Sequence, residues 1–389
     1  MSIAQTREGE TVMSKHRRLT LAAVLMCLGA ALLWGGPFSQ AKPPGGGGGV
    51  PPGTIYYDYS PGGNYAVGSV KADGSQNTAV NVKNYSPCHM LPSNKLHNGK
   101  RWFLRWDFEG ETTNGITIRS LCVVQEDDPL EEKAIELLAA PGPDDTAFVC
   151  PDGGFIWWSA DDQMITWAGH LLAADPVDGV FVDMGAAIYA METPIDPATG
   201  LWMASPGPPE PVVTDEDLRH AETDPLPYFV YFDMTLDGSK IVVWSRHDET
   251  DPVTGNQTPV DHDLQVFTLP TETTPLQRTV LNGTAGCVWP AISPDGSKVA
   301  VSNAWEAIDV ITLATGARTS LVRHAGATYR DLHWSPAGTH LVYHYYNRIG
   351  GFTNLRVTNN DYVIPVAGGG ATCINKDQEG GPTRPLAWR

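Results

Sequence analysis

The stretch PAISPDGSKVAVS, residues 290–302, reads as a single β-hairpin. An apolar strand ends at Ser293, Asp295 and Gly296 turn the chain, and a second apolar run returns from Lys298. The turn needs a positive φ, which glycine supplies without steric cost and Asp or Asn tolerates. The same grammar recurs in LHWSPAGTHLVY (332–343) and YFDMTLDGSKIVVW (231–244), and more weakly in PSNKLHNGKRWFL (92–104) and IWWSADDQMI (156–165). The five turns fall at Gly99, Asp162, Gly238, Gly296 and Gly338. The closest two lie 42 positions apart, near the period of about 40–45 residues that marks propeller blades.

A second strand-and-turn unit follows in several copies: VKADGS (70–75), IDPATG (195–200) and IDVITLATG (308–316). Two hairpins per unit make a four-stranded blade. TIYYDY (54–59) and PLAWR (385–389) then supply one more blade shared between the two ends, since a ring left unjoined would expose strand edges. The expectation is an all-β, six-bladed propeller of four-stranded antiparallel blades over residues 54–389, closed by its N- and C-terminal strands. Seven blades remain open, because SPGGNYAV (60–67) also reads as a hairpin of the first type and residues 126–223 depart most from the pattern. Residues 128–140 (DPLEEKAIELLAA) carry the best helical signature, with a capping Asp128, Pro129 in the first turn and early acids.

These units resemble the TolB-like propeller repeats, which are WD-like and of the Ser-Pro-Asp-Gly type. The residues that carry the resemblance are 289–302, 334–343 and 232–244, with the turns at Asp73-Gly74 and Thr315-Gly316. It implies an exported propeller of a kind found in periplasmic interaction proteins, in the substrate-gating halves of serine peptidases and in some polysaccharide lyases. The motif makes hairpins in all of them and carries no chemistry of its own.

Ahead of the repeats, residues 1–41 read as an export leader. Lys15, Arg17 and Arg18 precede an apolar run at 19–34, and Ser39-Gln40-Ala41 is a small-x-small cleavage pattern. Cleavage is expected after Ala41, with Met13 an alternative start and an uncleaved anchor the second reading. Cys27 follows Met26, which does not fit a lipobox. Residues 42–53 (KPPGGGGGVPPG) have the composition of a tether. The mature body has no other run apolar enough to span a bilayer, so a periplasmic or secreted location is expected.

The formal net charge is −18, from 44 acidic and 26 basic side chains. Such a surface repels phosphate backbones, so nucleic acid is not an expected partner. A protein, a peptide or a glycan at a propeller face is. Cys88, Cys122, Cys150, Cys287 and Cys373 include no CxxC pair, and their odd count leaves at least one thiol unpaired.

No G-x-S-x-G is present, which removes the peptidase reading, and no catalytic residues are assigned. No short motif specifies a metal, although a divalent cation among the histidines or in the oxygen-rich stretch 246–263 (RHDETDPVTGNQTPVDHD) remains open. His340 and His344, four apart, share a face of any regular strand. The candidate ligand-binding residues are His333, Tyr343, His344, Tyr346 and Arg348 on one hairpin, with His247, Asp261 and His262 in the 246–263 insertion. Most tryptophans are expected between blades, and exposed ones at a channel mouth would suit stacking on sugars or a peptide. The leading expectation is a non-catalytic exported propeller that binds a protein, peptide or envelope component. The alternatives are a lyase or metal-assisted hydrolase with its site in the channel, and a carbohydrate-binding propeller.

Overall fold

The hairpin of residues 290–302 is built as its sequence dictates. Gly296 takes φ +65°, and its N–H donates to Ser293 O at 2.8 Å. Ser293 Oγ donates to Asp295 Oδ1 at 2.6 Å and accepts from Lys298 N at 2.9 Å. Those hydrogen bonds, with Ser293 first and Ser297 next, hold the Asp295 carboxyl below the usual carboxylate range. Gly99, Asp162, Gly238 and Gly338 are likewise left-handed, with φ of +76°, +63°, +71° and +66°.

This computed structural model describes residues 52–59, 66–80, 90–111, 117–127, 135–138, 147–174, 180–193, 209–220, 229–250, 254–271, 273–349, 356–375 and 384–389. The leader through Ala41, most of the tether, residues 60–65, Cys88 and the 195–200 turn lie outside them.

The strands form six antiparallel sheets. The first holds β1 (Ile55–Tyr59), β2 (Ala66–Val70) and β3 (Thr78–Val80). The second is β4 (Leu91–Pro92), β5 (Trp102–Glu111), β6 (Thr117–Gln125) and β7 (Ile135–Leu138). The third is β8 (Ala147–Trp158), β9 (Met164–Ala174), β10 (Phe181–Glu192) and β11 (Glu210–Val213), followed by a single-turn helix α1 (Asp215–Leu218) with a Thr214–Asp217 capping box. The fourth is β12 (Phe229–Met234), β13 (Lys240–Thr250), β15 (Leu264–Thr268) and β16 (Gln277–Leu281), with β14 (Gln257–Asp261) paired to the far end of β13. The fifth is β17 (Cys287–Ile292), β18 (Lys298–Asn303), β19 (Ala307–Thr312) and β20 (Arg318–Arg323). The sixth is β21 (Ala327–Trp334), β22 (His340–Ile349), β23 (Arg356–Pro365) and β24 (Thr372–Cys373). The last strand, β25 (Arg384–Trp388), returns to the first sheet beside β1.

The inner strands β25, β4, β8, β12, β17 and β21 each touch the next, and the cycle closes. The fold is a six-bladed β-propeller. Its core lies between blades: Tyr231, Val242 and Trp244 of the fourth meet Val288, Val299 and Val301 of the fifth. A recurring indole staple crosses these interfaces. Trp158 Nε1 donates to Leu91 O at 3.0 Å, and Trp334 Nε1 to Ala291 O at 2.9 Å. In each case a tryptophan ending one inner strand donates to the preceding one.

Two sequence expectations need correcting. Residues 135–138 of the expected helix form β7 instead, with Leu138 opposite Leu121 and Ile135 opposite Val123. Pairing to the open edge of β6 overrides local helix propensity there, and the rest of 128–140 lies outside the described residues. The 246–263 insertion is not an irregular loop either. Arg246 to Thr250 continue β13 and pair with β14 in register, Arg246 opposite Asp261 and Thr250 opposite Gln257. Cys287 is a buried free thiol.

Candidate binding site in the central channel

Four inner strands carry register shifts: β8 between Pro151 and Ile156, β17 between Val288 and Ala291, β21 between Arg330 and His333, and β25 between Pro385 and Ala387. A bulge re-aims the side chains it interrupts. Two of these bulges hold bulky non-glycine residues in the left-handed region, Trp289 at φ +54° and Asp331 at φ +53°. Beside them, the β18–β19 turn puts Ala304 at φ +47° and Trp305 at φ +66°. That backbone costs on the order of 1–3 kcal/mol per residue. Four such residues therefore fall in blades five and six.

The strained residues present an aromatic series. Trp305 is 38% exposed. Its ring meets Trp289 edge to face at 6.2 Å, and Trp289 meets Tyr231 the same way at 4.9 Å. Trp244 lies 6.4 Å beyond Tyr231, and Arg246 covers it at 5.3 Å. Tyr329 N donates to Trp305 O at 2.9 Å, which ties the turn to the sixth blade.

Next to the aromatics lies a buried charge group. Arg384 Nη2 is 3.5 Å from Asp58 Oδ2, and Arg330 Nε is 3.5 Å from Asp331 Oδ2. Burial pushes the Asp58 carboxyl up to about 7; Arg384 opposes this, while Asp331 and Asp361 add to it. Burial also raises the Tyr231 hydroxyl well above its ordinary value, reinforced by Asp331 and Asp233. A cavity here is lined by Asp331, His333 and Arg384 against Leu91, Ile156 and Leu386.

His333 also borders a second cavity, toward the hairpin-turn end, with Trp157, Asp233, Trp334, Trp388 and Arg389. Its Nε2 lies 3.2 Å from Pro385 O. Burial, with Arg389 nearby, brings its pKa down to about 4, so the ring is neutral at physiological pH. Asp233 Oδ2 accepts from Ile292 N at 2.7 Å, yet burial still pushes its carboxyl up to about 7. Burial lowers Arg389 to about 10 against the pull of Asp162 and Asp233.

The structure does not bring the eight sequence candidates together. His333 borders both channel cavities. Tyr343 is buried between Tyr329 and Tyr362, at 5.6 and 5.8 Å. His344 is wholly buried, its Nδ1 2.8 Å from Asp361 Oδ1, while His340 on the same strand is half-buried. Tyr346 is half-buried, and Arg348 lies on β22 with its side chain outside the described residues. His247 and His262 sit elsewhere, at the root of the β13–β14 hairpin. Their Nδ1 and Nε2 atoms are 2.6 Å apart, and His220 stacks on His262 at 4.3 Å. Asp261 pairs with Arg246 at 2.8 Å. Among the described residues, no group of three or more His, Cys, Asp or Glu is arranged to hold a metal ion.

Sequence reading missed Trp289, Trp305, Asp331, Arg384 and Asp58. The one usable signal was the tryptophan at an expected strand-to-strand turn after Asn303, where Gly or Asn would ordinarily stand.

No protein-family model matches the chain, and no curated protein does. Among solved structures it is similar to one described as a TolB from Agrobacterium tumefaciens, at 13% identity and a TM-score of 0.43, covering 84% of this chain and 89% of that one. A puromycin-hydrolyzing peptidase from Mycobacterium tuberculosis shares 12% identity at a TM-score of 0.46, over 82% of this chain and 45% of its own. An oligogalacturonate lyase in complex with manganese shares 16% identity at a TM-score of 0.39, over 81% and 70%. At these identities and scores the likeness bears on neither partner nor chemistry.

Proposed function

We propose that the chain is an exported, non-catalytic propeller that holds a protein, peptide or envelope component at the Trp305 end of its channel. The observation that carries this reading is the solvent-facing Trp305, supported by Trp289, with both held in the left-handed region. Backbone strain at an exposed large aromatic is consistent with a retained binding role, because a glycine at either position would remove the cost. Aromatic anchors of this kind dominate binding energy at interfaces. Export rests on the leader composition of residues 1–41.

A second reading takes the same indole as a sugar-stacking platform, favoured by its exposed face. One experiment separates the two. Immobilised protein is probed with peptide and glycan arrays, alongside Trp305→Ala. Peptide or protein ligands that weaken by about tenfold or more in the variant support the leading reading. Glycan ligands alone establish the second, and turnover of a bound polysaccharide overturns both.

A further inference from the structure

We propose that the turn-side end of the channel is a carboxylate-binding site built on the Arg389 guanidinium. This goes beyond the Trp305 reading and concerns the opposite end of the channel. Arg389 and Trp157 line one cavity, and three of their nitrogens, Arg389 Nε, Arg389 Nη2 and Trp157 Nε1, can only donate. Each is buried, and none has a hydrogen-bond partner among the described residues. Donor-only groups cannot satisfy one another, so the set calls for an acceptor with several lone pairs.

The other donors at this cavity are already engaged. Trp334 Nε1 donates to Ala291 O and Trp388 Nε1 to Pro52 O. His333 Nε2 lies at Pro385 O. The nearby acids are committed as well. Asp162 accepts from Asn94 N, Lys95 N and the His97 ring. Asp233 accepts from Ile292 N. Both are near enough for Arg389 to feel their charge, as it feels that of Arg101, yet among the described residues no ion pair joins either acid to it.

The Arg389 guanidinium carbon lies over the Trp157 ring, 5.0 Å from its centroid. Nε and Nη2 are the parallel pair of donors that matches the two oxygens of a carboxylate. Trp157, Trp334 and Trp388 contribute flat indole walls. They suit a planar anion better than a tetrahedral one.

The test uses the full chain with sodium acetate as the probe, titrated against sodium chloride at constant ionic strength. Tryptophan fluorescence and melting temperature are the readouts. A saturable rise in melting temperature beyond that with chloride is expected. It should disappear in Arg389→Lys, which keeps the charge and loses the fork, and weaken roughly tenfold in Trp157→Phe. Glucuronate, and a short peptide compared with its C-terminal amide, distinguish sugar from peptide sources of the carboxylate. Trp305→Ala should leave the acetate response intact, which separates this site from the aromatic end. An equal response in Arg389→Lys, or none to any carboxylate in the parent chain, overturns the proposal. If Arg389→Lys does not fold, crystals grown in acetate decide it. A carboxylate at about 2.7–3.2 Å from Nε and Nη2 supports the site, and water alone there overturns it.

Discussion

Ala304 and Trp305 stand at the two central positions of the Asn303–Glu306 turn, whose Glu306 N donates to Asn303 O at 3.1 Å. Asn-Gly is the ordinary choice for that backbone. Ala304→Gly should therefore raise unfolding free energy by about 1 kcal/mol in urea denaturation, with ligand binding unchanged. Trp305→Gly relieves the same strain and removes the aromatic face, so it should lose binding without a matching loss of stability. Asp233 gives a second residue-scale prediction. Its carboxyl is raised from an ordinary 3.8 to about 7 by burial. Below about pH 4 both folded and unfolded chains hold the proton, and the folded state is not penalised. As pH rises toward 7 the unfolded carboxyl ionises first, and stability falls by on the order of 4 kcal/mol. Asp233→Asn keeps an acceptor for Ile292 N and should reduce the slope between pH 4 and 8, measured by denaturation at each pH, and leave the part that Asp58, also raised to about 7, contributes. The residues at which sequence reading succeeded are the turn positions, because Gly99, Gly238, Gly296 and Gly338 advertise a positive φ locally. Trp289 and Asp331 adopt one because their strands slip register against β18 and β22, and that has no local signature.

Elements tell the same story at longer range. Gly68 sits opposite Tyr57 in the β1–β2 ladder, and a Cβ there would overlap the Tyr57 ring. Tyr57 is buried against Val342, Val363 and Trp388 of the blade-six interface, and its hydroxyl donates to Asn77 Oδ1. The ring cannot move aside cheaply. Gly68→Ala should cost about 1–3 kcal/mol, seen as a lower urea midpoint with an unchanged slope. Strands whose partners lie in the same hairpin were readable from alternation and turn residues. β7 was not, because the stretch around it, 128–140, is rich in Glu, Leu and Ala, and only the open edge of β6 makes it a strand. The β13–β14 extension was equally hidden. Its polar composition marks it as exposed, which it largely is, but composition does not report pairing.

At the scale of the whole molecule, stability rests on the joint between β25 and β1. Ile55 lies opposite Trp388, and Thr54 and Arg389 exchange backbone hydrogen bonds. Trp388 and Ala387 are buried, and Trp388 packs with Ile55, Tyr57 and Val342. Closure was legible in the sequence because both ends carried strand text and neither made a blade alone. Deleting residues 384–389 removes the inner strand of the first blade, bares the edge of β1 and opens the channel wall. The truncated chain should lose its cooperative thermal transition and associate through the free edge, seen as oligomers on size exclusion. Connectivity provides the control. Because β25 runs antiparallel to β1 with Arg389 beside Thr54, a short Gly-containing turn can join them. A permuted chain that begins at Arg384, passes through that turn to Thr54 and ends after Asn375 keeps every strand pair of the first blade. It should fold to a monomer with a melting temperature at or above that of the parent, since the seam becomes a local hairpin with a lower closure cost. A permutant as unstable as the truncation would show that the β25–β1 pairing alone does not carry the stability of the ring.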